Sequence, residues 1–316
     1  MHMADALVSA PVSITAGVVA AAFLMISAKK VSNTTRNDML PLMGVMGAFV
    51  FAAQMINFSI PGTGSSGHVI GGVLLGALLG PWAAFITLAS VLIIQCLLFA
   101  DGGVMALGCN LVNMGVMTCL VSYPLIYRPI ARNSLKKWVI MAASIVACIA
   151  GLELGALAVT LETELSGITE LPTAAFLSFM LPIHLVIGLC EGIATGVVLC
   201  FIAAVRPGML ESGQNVAVGD GSAKSKWSLK SVLWILTGVA VVMAAGFTWL
   251  ASGNPDGLEW SIAGVTGDTE LAPASIPATA ILPDYDSTFS GLIGGLIVVA
   301  VIWGICSILF HRKKRE

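Results

Sequence analysis

The sequence predicts an all-α integral membrane protein. The expected architecture is a seven-helix bundle with a short, broken third helix, followed by a two-helix C-terminal module. That makes about nine membrane helices, with the N-terminus outside and the C-terminus cytoplasmic. Three observations predict it. The chain is 57% hydrophobic and 10% charged, with mean hydropathy +0.96. Several of its apolar runs exceed the ~18 residues that mark a membrane helix. Its basic residues sit in short loops between those runs, where they fix orientation rather than form a nucleic-acid surface.

The first span covers roughly 11–28 and is followed by Lys29, Lys30 and Arg36, which marks a cytoplasmic loop. The segment ahead of it, Met1 to Ala6, has no Lys or Arg. A secretory signal peptide needs a positive start, so the first residues are expected to be retained and to lie outside. Ser13, Gly17 and Ala21 form a small-residue stripe suited to close helix packing or to docking a partner. The second span runs 39–57. A Gly/Ser/Thr-rich loop over 59–67 leads to His68.

The apolar stretch 69–99 is too long for one helix and contains Gly80-Pro81-Trp82. Proline after glycine interrupts a helix, so the stretch divides into a short span at 68–79 and a full one at 82–99. Gly72, Gly76 and Gly80 give the short one a tight-packing face. Short or broken membrane helices often line a site. The fifth span ends near 127, and the basic loop after it (Arg128, Arg132, Lys136, Lys137) falls inside only if 69–99 is two segments. Spans at 138–160 and 173–205 complete the first domain, 1–206. Residues 207–228 read as a flexible cytoplasmic linker. The second domain, 229–316, has spans at 229–251 and 289–310 and an acidic outer loop, 252–288, which includes Glu270, Asp284 and Asp286. It ends in a cytoplasmic basic anchor.

The chemistry-bearing residues are few. All seven cysteines fall in apolar segments without ligand spacing and read as small buried hydrophobes. No Walker A loop, His-Glu-x-x-His or Gly-x-Ser-x-Gly occurs. An intramembrane hydrolase would need a nucleophile–base pair, and the chain offers none. His184 and Glu191 lie seven residues apart on one helix face. They read as a buried polar brace, or as a pair guarding a route. Only four histidines exist. His2 can offer a metal its ring, the amide nitrogen before it and the terminal amine, three nitrogens close to one plane, and His68 can close the square. Planar nitrogen geometry suits Ni(II) or Cu(II). The competing reading makes His2 an ordinary exposed terminal residue and His68 a capping one.

The motifs bear a resemblance. Met1-His2 followed by Asp5 is similar to the Met-His-Ile-Pro-Asp-Gly start of the cobalt/nickel substrate-binding components of energy-coupling-factor (ECF) transporters, the CbiM/NikM family. Ser66-Gly67-His68-Val69-Ile70-Gly71-Gly72 and Leu79 to Ala84 resemble its second signature. So do Gln95 to Gly103, Leu107-Gly108-Cys109-Asn110 and Asn113-Met114-Gly115. The stretch from His184 to Thr195 resembles a third. Pro255-Asp256-Gly257-Leu258-Glu259 resembles the small two-helix companion, CbiN/NikN, here fused. Met3-Ala4 and Ala6 depart from the pattern by lacking its proline and glycine.

The resemblance implies a substrate-specific subunit of the cell inner (plasma) membrane. It would capture Ni(II) or Co(II) as transported substrate, without an organic cofactor, and would not be an enzyme. Its implied ligands are the Met1 amine, the His2 amide and ring, and the His68 ring, with capture weakening below roughly pH 6 as histidine protonates. Asp5, Asn57 and Ser66 are candidates to orient these ligands, whereas His184→Ala and His311→Ala are expected to leave binding unchanged. The implied partners are the lipid bilayer, an ECF transmembrane coupling (T) component and ABC-type ATPase subunits, with no nucleic acid. The outer loop 252–288 is expected to assist loading by pressing on the loop that carries His68. The alternative is a stand-alone permease or channel for a metal or small solute, which would transport with no ATPase partner.

Overall fold

The computed structural model describes residues 1–33, 39–211, 213–215, 225–246, 250–269, 281–282 and 288–312. Arg36, Glu270, Asp284, Asp286, the C-terminal anchor beyond 312 and linker residues 212 and 216–224 lie outside the described residues, as does the His311 side chain.

Ten helices and one hairpin make up the described chain. Helix α1 (Ala10–Ser32) opens on Pro11, which suits the first turn of a helix, and ends in Lys29 and Lys30. Helix α2 (Met39–Gln54) is 16 residues long. Strands β1 (Phe58–Ile60) and β2 (Ser65–Gly67) pair antiparallel, Phe58 opposite Gly67. They are followed by α3 (Gly72–Leu79), α4 (Pro81–Phe99), α5 (Leu107–Ala131), α6 (Lys137–Ser166) and α7 (Thr173–Val205). The C-terminal part contributes α8 (Leu229–Gly246), the short α9 (Gly257–Thr266) and α10 (Thr288–Arg312). Seven of these are long and apolar enough to cross a membrane, so the chain is a multi-pass membrane protein. Elements alternate in direction. The basic ends of α1, α5 and α7 gather at one face, and Met1, the hairpin and α9 gather at the other.

The broken third crossing is shorter as a helix than 68–79. Eight helical residues rise only about 12 Å, and residues 68–71 ahead of them are not helical. Gly71 sits at φ +81°, in the left-handed region that glycine adopts without strain. Non-helical backbone at membrane depth needs protein partners, and two polar side chains supply them, one of them held by a third. The Ile70 and Gly71 N–H groups donate to the two oxygens of Glu191, each at 2.9 Å. Gln54 Nε2 donates to the Ile70 carbonyl at 2.8 Å, and Gln95 Nε2 donates to Gln54 Oε1 at 2.6 Å. Glu191 is therefore a brace, as its position on α7 suggested. Its partner is the broken segment rather than His184.

Helix α3 is buried along its whole length. A Cβ on Gly72 would fall 1.8 Å from Thr118 Oγ1, and one on Gly76 2.5 Å from the Tyr123 ring. The tight-packing face is thus Gly72 and Gly76 against α5; Gly80 meets nothing. In α5 the hydrogen bonding is π-type through Leu111–Tyr127, and Pro124 lies inside it. On α1, Ser13 Oγ donates to the Met105 carbonyl at 2.6 Å, and the Gly17 backbone packs on Gly108. Two members of the small-residue stripe are therefore spent inside the molecule.

Helices α8 and α10 pack against α2, and close approach is set by small residues. A Cβ on Gly47 would meet Ile302 at 2.5 Å, and one on Gly294 would meet the Phe51 ring at 2.1 Å. The linker is docked where it is described. Arg128 pairs with Glu211 at 2.7 Å, Asn215 Nδ2 donates to the Arg132 carbonyl at 3.0 Å, and Lys226 N–H donates to the Val205 carbonyl at 2.9 Å. The cysteines are free thiols, five of them buried, with Cys190 and Cys200 half-buried.

Candidate functional site: a buried amino terminus between two histidine rings

The amino terminus is folded into the protein. Met1 is 4% and Met3 0% exposed. Asn110 clamps the Met3 backbone from both sides: its Oδ1 accepts from Met3 N–H at 2.8 Å and its Nδ2 donates to the Met3 carbonyl at 3.2 Å. The Gly103 N–H donates to the same carbonyl at 2.9 Å. Asp5 Oδ1 accepts from the Ala106 N–H at 3.0 Å, which ties the terminal segment to the 101–106 turn. These bonds put residues 1–3 at the end of the bundle opposite the basic loops.

His68 follows β2 directly, so the hairpin fixes its position. Its ring stacks on that of His2 with centroids 5.1 Å apart and 20° between planes. The structure thus brings together Met1, His2 and His68, and the reading of His2 as an exposed terminal residue does not hold. His2 Nδ1 lies 3.2 Å from Asp101 Oδ1, and the Met1 amine lies 2.5 Å from Asp256 Oδ2. His2 Nε2 is buried without a hydrogen-bond partner.

The electrostatics favour neutral rings. Burial first, and the nearby N-terminal ammonium second, lower both His2 and His68 to a pKa of about 3. In the closed site the rings therefore stay neutral well below the usual imidazole range. Burial pushes the Asp256 carboxyl up. The N-terminal ammonium and hydrogen bonds outweigh it and hold the group below the usual carboxylate range.

The three residues expected to orient the ligands act differently. Asp5 holds the turn that carries Asp101. Ser66 Oγ donates to the Asn254 carbonyl at 2.8 Å and the Ser66 N–H to the Pro255 carbonyl at 2.8 Å. Asn57 contributes its carbonyl, which accepts from Ser252 N–H at 2.8 Å. Sequence proximity misplaced them because they grip neighbouring backbone, not the rings. Residues 252–260 do press on the loop of His68. Segment 254–255 covers the free edge of β2, and Trp260 Nε1 donates to the Thr63 carbonyl at 2.9 Å.

Four residues near the ligands were not assigned from sequence. Asp101 and Gln95 lie in a stretch already singled out for its motif, and Gln95 sits close to the His2 ring. Asp256 begins α9 with a capping box, accepting from the Leu258 and Glu259 N–H groups; the Asp-x-x-Glu spacing was its signal. His184 lines a small cavity with Met1, His68 and Asp256, although sequence reasoning set it aside.

Chemically, the arrangement presents a terminal amine, a backbone amide and neutral imidazoles in a buried cleft. Among the described residues no three His, Cys, Asp or Glu side chains form a metal-holding cluster. A cation held here would therefore need backbone and terminal nitrogens.

Comparison with known proteins identifies the family. Residues 2–209 match the family model for the cobalt uptake substrate-specific transmembrane region, CbiM, and residues 230–311 match that of the PDGLE domain. The fused nickel transport protein NikMN of Rhodobacter capsulatus is 29% identical over 343 residues, covering 96% of each chain. The cobalt transport protein CbiM of Sorangium cellulosum is 29% identical, over 71% of this chain and 100% of its own. An Archaeoglobus fulgidus relative is 42% identical over 170 residues, and the match spans 55% of its length. A crystal structure described as a transition metal transporter superposes with TM-score 0.57 at 32% identity, covering 65% of this chain and 93% of that one. With its relatives named as nickel and cobalt transport proteins, this chain belongs to the CbiM family of cobalt uptake substrate-specific transmembrane regions and carries a PDGLE domain behind it.

Proposed function

We propose that the chain captures Ni(II) or Co(II) at the outer face of the plasma membrane, for ATP-driven import by an ECF-type transporter. The cation is substrate, and its donors are the Met1 amine, the His2 amide and ring nitrogens and a ring nitrogen of His68. A deprotonated amide donor demands a late, strongly polarising metal and so rejects Mg, Ca and Mn. In this reading residues 1–206 bind the metal, 207–228 link, and 229–316 form a two-helix module that covers the site through 252–260. The T component and the ATPase subunits are separate chains.

One observation carries the reading: Met1, His2 and His68 converge in a buried cleft, with the two rings stacked 5.1 Å apart. The test is a single residue added ahead of Met1, which moves the amine out of the donor plane. Isothermal titration of the full chain with Ni(II) should then lose affinity by orders of magnitude, and His68→Ala should weaken it less. Unchanged affinity in the extended chain would count decisively against the site. Uptake by vesicles holding this chain alone would favour the stand-alone permease instead.

A further inference from the structure

A cavity of about 670 Å³ opens between α2, α8 and α10. Val45, Ala48 and Ala52 of α2 form its floor, and α8 and α10 form its walls. Trp234 and Leu296 on those walls are large, apolar and exposed, so in a bilayer the cavity opens to lipid.

The cavity is a wedge. Its walls meet at one end, where a Cβ on Gly291 would lie 3.0 Å from the Ala244 carbonyl oxygen and Thr288 Oγ1 donates to the Ala245 carbonyl at 3.1 Å. Lys230 stands at the other end, about 21 Å away along α8. That end lies on the face that gathers the basic helix termini, because the Lys226 N–H just ahead of α8 donates to the Val205 carbonyl at the end of α7. Lys230 is exposed and, among the described residues, has no ion-pair partner. Among the described lining residues it alone is charged. Trp234 follows it one turn further in on the same side of α8, the depth at which an indole bridges headgroups and hydrocarbon.

An apolar groove with a single cation at its wet end complements an anionic amphiphile. The chain lies in the groove and the headgroup meets the ammonium. The length agrees, since one leaflet contributes about 15 Å of hydrocarbon. A partner helix is about 10 Å across and does not fit the end where Gly291 lies against Ala244.

We propose that this wedge seats one anionic phospholipid of the leaflet on the basic face, with an acyl chain lying on α2 and the phosphate at Lys230 Nζ. The lipid fills the gap that α8 and α10 leave over α2. The site is apart from the amino-terminal cleft and does not rest on what that cleft binds.

The test is native mass spectrometry of the purified full chain, titrated with phosphatidylglycerol or with phosphatidylcholine carrying the same acyl chains. The wild type should retain one phosphatidylglycerol, held about fivefold more tightly than phosphatidylcholine, the effect of one cationic side chain at a lipid headgroup. Lys230→Gln should abolish that preference. Gly295→Leu, whose Cβ would meet only Ala48, at 3.9 Å, should fill the wedge and reduce retention of both lipids. If the leucine variant does not fold, Lys230→Gln, at an exposed position, carries the measurement. Equal retention of the two lipids by the wild type, or an unchanged preference in Lys230→Gln, overturns the proposal. So does release of a second copy or of another membrane protein by Gly295→Leu, which would make the wedge a protein interface.

Discussion

The Met1 amine and the Asp256 carboxylate, 255 residues apart in sequence, are 2.5 Å apart in space. This contact joins the first residue of the chain to the N-cap of the short helix in the C-terminal part. Asp256→Asn should release the terminus, because a buried hydrogen bond to a charged group contributes about 1.5–3 kcal/mol. Amide hydrogen exchange of residues 1–8 should accelerate at least tenfold, with helix α7 unaffected. Unchanged protection would mean that Asn110 and Asp5 hold the segment without help.

Acid should loosen the same segment. The folded pKa values of His2 and His68, about 3, lie below the ordinary imidazole value of 6.5. Between those values the folded state therefore binds fewer protons than the opened one. Docking is fully stable above pH 6.5 and weakens as pH falls toward 3. Exchange of residues 1–8, corrected for intrinsic rates, should rise from pH 6.5 to 4. In the His2→Gln/His68→Gln double variant that rise should disappear, and a flat wild-type profile would contradict the burial argument.

Glu191→Ala should destabilise the bundle far more than Glu191→Gln. Alanine leaves the Ile70 and Gly71 N–H groups buried and unpaired, at about 1–3 kcal/mol each. Glutamine keeps one acceptor. Thermal melting in detergent should rank wild type above Gln above Ala, and equal melting of the two variants would show that water replaces the carboxylate.

Gly72→Ala should fail or fold poorly, since its Cβ would fall 1.8 Å from Thr118 Oγ1 and overpacking typically costs about 1–3 kcal/mol or more. Gly238→Ala, where nothing lies within 4 Å, should express and melt like the wild type. A normal melting temperature for the Gly72 variant would mean that α5 moves aside freely.

The membrane architecture was legible because hydropathy and basic loops report directly on the bilayer. Gly80-Pro81 announced the break before α4, and the pairing of Met1-His2 with His68 was visible as chemistry. The non-helical stretch 68–71 was not legible, because its apolar residues read like a helix. The Glu191 and Gln54 side chains, from distant segments, supply the backbone partners there. Asp256 escaped because a lone carboxylate in an acidic loop has no sequence feature that reports its distance to residue 1. His184 escaped for the opposite reason: its spacing to Glu191 suggested a pair, whereas each side chain turns to a different neighbour.

The Lys226 and Trp227 N–H groups both donate to the Val205 carbonyl, at 2.9 and 3.2 Å. The chain thus comes back to the residue at which it left the bundle. The segment between those points is a closed detour, and its ends are held without it. Lengthening it should leave both anchor points where they are. What the covalent join supplies is one-to-one supply of the two halves and a high local concentration of each for the other, rather than any fixed spacing between them.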